Sequence, residues 1–120
     1  MAVRALRGAT RLVEDDFEEM RDAVVELLQA MFDRNEVNTA DLISIIFTAT
    51  PDIHSGFPAA AARTLALGDV PLFCASEMNV TGALERTIRV MAHFETDRSR
   101  ASLQHVYLRG AEVLRLDLAQ

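Results

Sequence analysis

The sequence predicts an α+β (α/β-like) fold, a mixed β-sheet of about five strands with helices laid on it. Three observations carry that prediction. Phe17, Met20, Val24, Leu27 and Met31 recur at three- and four-residue steps, which puts them on one face of a helix. Leu42 to Thr50 (LISIIFTAT) is a nearly continuous β-rich apolar run. Thr87 to Thr96 alternates, with Ile88, Val90, Ala92 and Phe94 in one phase and Arg89, Met91, His93 and Glu95 in the other. With the weaker signals between them, the order reads β α β α β β β, a pattern that mixes layers of sheet and helix. At 120 residues the chain is long enough for one core and short of two, so residues 1–120 are expected to form a single domain.

Taken in order, Val3 to Val13 reads as a strand, with Arg4, Arg7 and Arg11 spaced along it. Gly8 suggests a bulge or a close backbone approach, and so a local kink beside Arg7. Asp15 or Asp16 caps the helix that follows, the acids Asp15, Asp16, Glu18 and Glu19 suit its N-terminal dipole, and Asn35 stops it after Arg34. Asn38 to Asp41 is a turn. Leu42 to Thr50 then fits a central strand covered on both faces, ended by Pro51-Asp52. Pro58 opens a second helix through Leu67, and Gly68 closes it. Arg63 falls about a turn and a half into that helix, whose Ala59 to Ala62 suit close packing.

Val70 to Cys74 is a short buried strand, and Val80 to Ala83 is a turn with a short helical piece to Arg86. After the alternating strand, Asp97 to Ala101 is a polar loop. Leu103 to Leu108 is the last strand, Gly110 breaks it, and Ala111 to Leu118 forms a tail.

Composition narrows the function. The net charge of −6 and a pI of about 4.9 argue against nucleic acid or an anionic membrane as partner. One cysteine rules out an internal disulfide, and no Cys/His cluster has zinc spacing. The apolar runs fall far short of a membrane span and the N-terminus lacks a signal-peptide layout, so a cytoplasmic location is expected. All 12 basic residues are arginine, and an acidic total leaves room for a local pocket where several converge. Mean hydropathy is +0.11 with 6% aromatic residues, so the core is aliphatic.

The sequence contains no GxSxG, no phosphate loop and no GxGxxG. Ser76 and Cys74 have no sequence-local base, and His54 stands alone in a turn-rich spot. What remains is Arg7, Arg63, Glu77, Arg89, Tyr107 and Arg115, all at strand ends, loops or kinks. Guanidinium forks match carboxylates, a tyrosine hydroxyl adds a neutral donor, and a glutamate accepts from a substrate hydroxyl. Such a set suits a small dicarboxylate that carries a hydroxyl. The competing account pairs each arginine with one of the 18 acids on the surface, where an ion pair contributes about 0–1 kcal/mol. Spacing alone leaves both open.

Four segments add a resemblance: RALRGAT (Arg4 to Thr10), FTATPDIHSGFPAAAAR (Phe47 to Arg63), VPLFCASEMNVTGALERTIRVM (Val70 to Met91) and HVYLRGAEVLR (His105 to Arg115). Together, and collinear from end to end, they resemble the monofunctional trimeric chorismate mutases with the pseudo-α/β-barrel fold. The resemblance implies a [3,3] rearrangement of chorismate to prephenate in aromatic amino acid biosynthesis. It implies no covalent catalyst, metal or cofactor, and a homotrimer with its sites between subunits.

By the same resemblance, Arg89 donates to the ether oxygen as its bond to carbon breaks, and Arg7 and Tyr107 contact a substrate carboxylate. Glu77 accepts from the ring hydroxyl, and Phe73, Cys74, Ala75 and Ser76 line the site with it. Phe57, Ala59 and Arg63 come from a neighbouring subunit, while Leu114 and Arg115 belong to the tail that closes the pocket. Two positions depart from the family pattern: Ala60 stands where a lysine is usual, and no proline follows Arg115. Two other readings fit the same residues, a non-catalytic trimeric module binding small carboxylates for regulation and an imine-hydrolysing trimer.

Overall fold

Strand β4, Thr87–Thr96, is the one around which the sheet is built. In the computed structural model, which describes residues 1–114, the order of the five strands is β3-β2-β4-β1-β5. The others are β1 (Ala2–Arg11), β2 (Leu42–Ala49), β3 (Leu72–Ser76) and β5 (Val106–Tyr107). β4 runs antiparallel to both β1 and β2, whereas β3 joins β2 and β5 joins β1 in parallel. The sheet is therefore mixed and the fold α+β, as the sequence predicts.

Helix α1, Phe17–Arg34, covers one face. Asp16 caps it, accepting the Glu19 backbone N–H at 2.9 Å, and Asn35 ends it. Its inward stripe includes Met20, Val24, Leu27 and Met31, all 0% exposed, and meets Leu6, Ile45, Phe47, Ile88, Val90, Phe94 and Val106 from the sheet. Fully burying side chains of this size contributes roughly 1.5–3 kcal/mol each, so this layer holds the domain together. A short helix α2, Pro58–Ala62, packs beside α1 with Ala61 and Ala62 fully buried. No helix among the described residues is long and apolar enough to cross a membrane.

Asn35 is the buried polar link between layers. Its amide nitrogen donates to the Met31 and Gln104 carbonyls at 2.8 Å each, and its oxygen accepts the Gln104 N–H at 2.7 Å. The C-terminal end of α1 is thereby fastened to the segment that leads into β5. At the other end, Asp52 accepts the Arg86 N–H and the Thr50 hydroxyl, and Thr50 in turn accepts the Thr87 N–H. That cluster ties the exit of β2 to the entry of β4.

Several expectations are corrected. The Leu42 to Thr50 run is an internal strand, between β3 and β4 as expected, but the described residues cover one face of it and not both. A bulge at Ile43 resets the phase, so Ile45 and Phe47 point inward while Ile46 stays 37% exposed. The second helix stops at Ala62 and places Arg63 at its C-cap, because the chain turns before Leu67. β3 begins two residues later than expected and runs to Ser76. Residues 80–86 form turns without a helical piece. β5 is two residues long, because Leu103 caps a preceding 3-10 turn and leaves little chain to pair.

Gly8 marks a close approach and not a kink. Pairing of β1 with β4 runs without a break from Ala2↔Thr96 to Arg11↔Thr87. A side chain at position 8 would meet the Met31 sulfur and come within 3.2 Å of Leu27 Cδ1. The glycine lets α1 sit down on the sheet.

Candidate active site

The same alternation that builds the core builds the other face. Residues opposite each other across an antiparallel pair share a side. Arg7 pairs with Met91, Ala9 with Arg89, Ile46 with Met91 and Thr48 with Arg89. β5 adds Tyr107 beside Ala9. These residues project away from α1, onto a face that, among the described residues, is covered only at its β5 end, where Ala111 and Leu114 pack on Ala9 and Tyr107. Val3 and Phe73 lie on that face as well, 57% and 63% exposed.

A cavity of about 440 Å³ opens there, lined by Arg7, Ala9, Thr48, Glu77, Arg89, Tyr107 and Leu114, with Ile46 and Met91 among its apolar walls. Glu77 enters from the residue after β3, where its N–H donates to the Ala49 carbonyl at 2.9 Å. Its Oε2 lies 3.3 Å from Arg89 Nε and accepts the Thr48 hydroxyl at 2.5 Å. The Arg89 side chain is 52% exposed and that of Glu77 is 23% exposed. The guanidinium is thus paired at one edge and open to the cavity along the rest. At exposures like these the pair adds little to stability, so its place in the cavity is the informative fact.

Arg7 is held through its backbone: its N–H donates to His105 Nδ1 at 2.9 Å. Partial desolvation, reinforced by the Arg7 guanidinium, keeps the His105 pKa below the usual imidazole value. The ring is neutral at pH 7, with Nδ1 free to accept. Tyr107 is buried against Ala9 and Ala111 at the base of the cavity.

The structure brings Arg7, Glu77, Arg89, Tyr107 and Leu114 to one place. Phe73 and Ala75 lie on the same open face but outside the cavity lining. Cys74 does not face the cavity; it pairs with buried Phe47 and packs against the core on the helix side. The Ser76 hydroxyl donates to the Glu77 carbonyl at 3.4 Å. Phe57, Ala59 and Arg63 sit on α2 and its caps, away from the lining, with Phe57 71% exposed. Arg115 lies outside the described residues.

Sequence reasoning missed Thr48, Ile46 and Met91 as lining residues and His105 as the support of Arg7. Thr48 carried a signal, a hydroxyl in an apolar strand two residues from exposed Ile46. Among the described residues no group of three His, Cys, Asp or Glu side chains could hold a metal ion.

Two guanidiniums, a phenol and a carboxylate around one apolar-walled cavity define a class of site. Its chemistry suits a small molecule bearing carboxylates and a hydroxyl. Comparison with known proteins gives the particular family. The sequence profile of chorismate mutase type I matches residues 3–118. The chain is 40% identical over 120 residues to the chorismate mutase AroH of Bacillus subtilis, covering 99% of this chain and 94% of the relative. It is 44% identical over 117 residues to the chorismate mutase AroH of Thermus thermophilus, covering 97% and 96%. A solved chorismate mutase from Clostridium thermocellum superimposes with a TM-score of 0.89 at 42% identity, covering 92% of this chain and 98% of that one. This chain belongs to the chorismate mutase type I family.

Proposed function

We propose that the protein is a chorismate mutase, an isomerase that converts chorismate to prephenate in aromatic amino acid biosynthesis. The observation that carries this reading is the meeting of Arg7, Glu77, Arg89 and Tyr107 around one cavity in a chain of this family.

The reaction is a [3,3] rearrangement. A carbon–oxygen bond between ring and enolpyruvyl arm breaks while a carbon–carbon bond forms, and no proton or electron enters from outside. As the first bond lengthens, the ether oxygen gains negative charge and the ring positive charge. Arg89 faces the ether oxygen, and its fixed guanidinium binds that oxygen more tightly in the transition state than in the ground state. Arg7 and Tyr107 hold a carboxylate and keep the arm folded over the ring, an orientation effect. Glu77 accepts from the ring hydroxyl and lies close enough to the ring to favour its developing positive charge.

The active unit is a homotrimer, a pseudo-α/β barrel in which the uncovered sheet faces turn inward. Exposed Val3, Ile46 and Phe73 on that face support this reading. Phe57, Ala59 and Arg63 of a neighbouring copy complete each site. Glu77 projects from the end of β3, where Phe73 and Ala75 border the site on the open face and Cys74 backs it from the core side. Residues 1–120 act as one domain, without cofactor, in the cytoplasm, where one unpaired thiol per chain is ordinary.

The test is direct: purified protein is mixed with chorismate and its disappearance followed. Conversion to prephenate well above the spontaneous rate is expected. Chorismate bound and returned unchanged would make the chain a carboxylate-binding module instead.

A further inference from the structure

Glu77 is a flexible side chain asked to hold one orientation in a half-open cavity. Its two oxygens are treated unequally. Oε2 takes both protein partners, the Thr48 hydroxyl at 2.5 Å and Arg89 Nε at 3.3 Å. Oε1 takes none among the described residues. The two partners of Oε2 also differ in kind. Arg89 is a long, half-exposed side chain whose guanidinium is needed by the ligand. Thr48 is β-branched and stiff about its first torsion, and it sits on a strand paired on both sides.

We infer that Thr48 is a positioning residue: its hydroxyl pins Glu77 Oε2, which keeps Oε1 aimed at the substrate hydroxyl and leaves Arg89 free to turn to the ether oxygen. The inference rests on the function proposed above. Register supplies the geometry, since Thr48 and Arg89 are direct cross-strand partners on the open face, with the Glu77 carboxylate between their heads. Without the hydroxyl, the carboxylate has one cationic neighbour left and closes on it in two-point fashion, withdrawing the guanidinium from the ligand. Loss at Thr48 therefore weakens both Glu77 and Arg89, although Thr48 itself need not touch the substrate.

The experiment compares Thr48→Val, Thr48→Ser and Thr48→Ala in kcat/KM for chorismate, with thermal midpoints measured alongside. Thr48→Val keeps the shape and removes the donor, so a drop of about tenfold is expected, the scale of one hydrogen bond to a charged group. Thr48→Ser restores the donor and should stay within about threefold of wild type. Thr48→Ala should fall with Thr48→Val. The deciding measurement repeats Thr48→Val in a Glu77→Ala background, where it should add nothing. Thr48→Val at wild-type activity, or an equal loss with Glu77 already absent, overturns the inference.

A wild type that does not accelerate the reaction sinks the proposed function but not this test, which then moves to chorismate binding by calorimetry. Weaker binding by Thr48→Val with recovery in Thr48→Ser supports the role of Thr48, and equal affinities overturn it.

Discussion

His105 Nδ1 accepts the backbone N–H of Arg7 at 2.9 Å, so a titratable ring holds a strand residue that lines the site. Only the neutral ring can accept there. Burial first, and then the Arg7 guanidinium, lower the His105 pKa in the folded protein. The sign follows: the contribution to stability is complete above the unfolded imidazole pKa of about 6.5 and is lost as pH falls through the lower folded value. We expect kcat/KM to be level near neutrality and to decline on the acid side with that titration. His105→Asn, whose amide oxygen accepts without titrating, should remove that part of the decline. A pH–rate profile on both proteins checks it.

Arg89 offers a sharper dissection. Arg89→Ala removes the charge proposed to face the ether oxygen, and kcat should fall by at least ~10²–10³. Arg89→Lys keeps the charge but loses the planar fork, so it should recover part of the loss and no more. Steady-state kinetics separate the two. A lysine variant equal to wild type would show that charge without geometry suffices.

Asn35 is 0% exposed and its side chain makes three hydrogen bonds, two of them to the Gln104 backbone. Asn35→Ala removes the side-chain partner of the Gln104 N–H and C=O and of the buried Met31 carbonyl, and should cost about 1–3 kcal/mol. Because the next residues are His105, Val106 and Tyr107, activity should fall in the fraction that remains folded. Denaturant unfolding beside kinetics gives both numbers.

Thr10 works the other way. Its hydroxyl oxygen is buried with no hydrogen-bond partner among the described residues, on the helix-facing side of β1. Thr10→Val keeps the shape and removes a polar group buried without reward. Stability should rise by about 1 kcal/mol, read as a higher denaturant midpoint with an unchanged slope.

At Gly8 the expected change is loss. A methyl group there meets the Met31 sulfur, with Leu27 Cδ1 at 3.2 Å. Met31 is flexible and can yield, so Gly8→Ala should sit near the low end of the overpacking range, about 1 kcal/mol. Thermal unfolding measures it. A Met31→Ala partner change that restores the midpoint would locate the strain.

The periodic elements were legible in the sequence because their patterns are local. α1 with its Asp16 cap and Asn35 stop, and β4 over Thr87–Thr96, follow from spacing alone. The short elements were not, since two residues of β5 and five of α2 hold their shape through neighbours and not through their own pattern. The run at Leu42 looked buried on both faces because sequence cannot show a one-residue bulge or a sheet face left for another surface.

The site divides in the same way. Arg7, Glu77, Arg89 and Tyr107 stood out as costly residues at strand ends and kinks, and motifs gave them roles. Cys74, by contrast, sits between lining segments in sequence yet on the opposite side of the sheet, because β3 alternates. His105 was invisible and Thr48 left only a faint signal, because they act on partners 98 and 29 positions away.

β4 carries core and site in strict alternation, so its two functions share one frame. A one-residue slip of β4 against its neighbours would turn Arg89 to the core side and expose Ile88, Val90 and Phe94, since such a slip reverses every side chain. A change in the length of this strand is therefore expected to cost more than exchange of one side chain for another. Its length is as much a part of the catalyst as the guanidinium it bears, and changes of length among related chains should collect in the turns at residues 80–86 and 97–105.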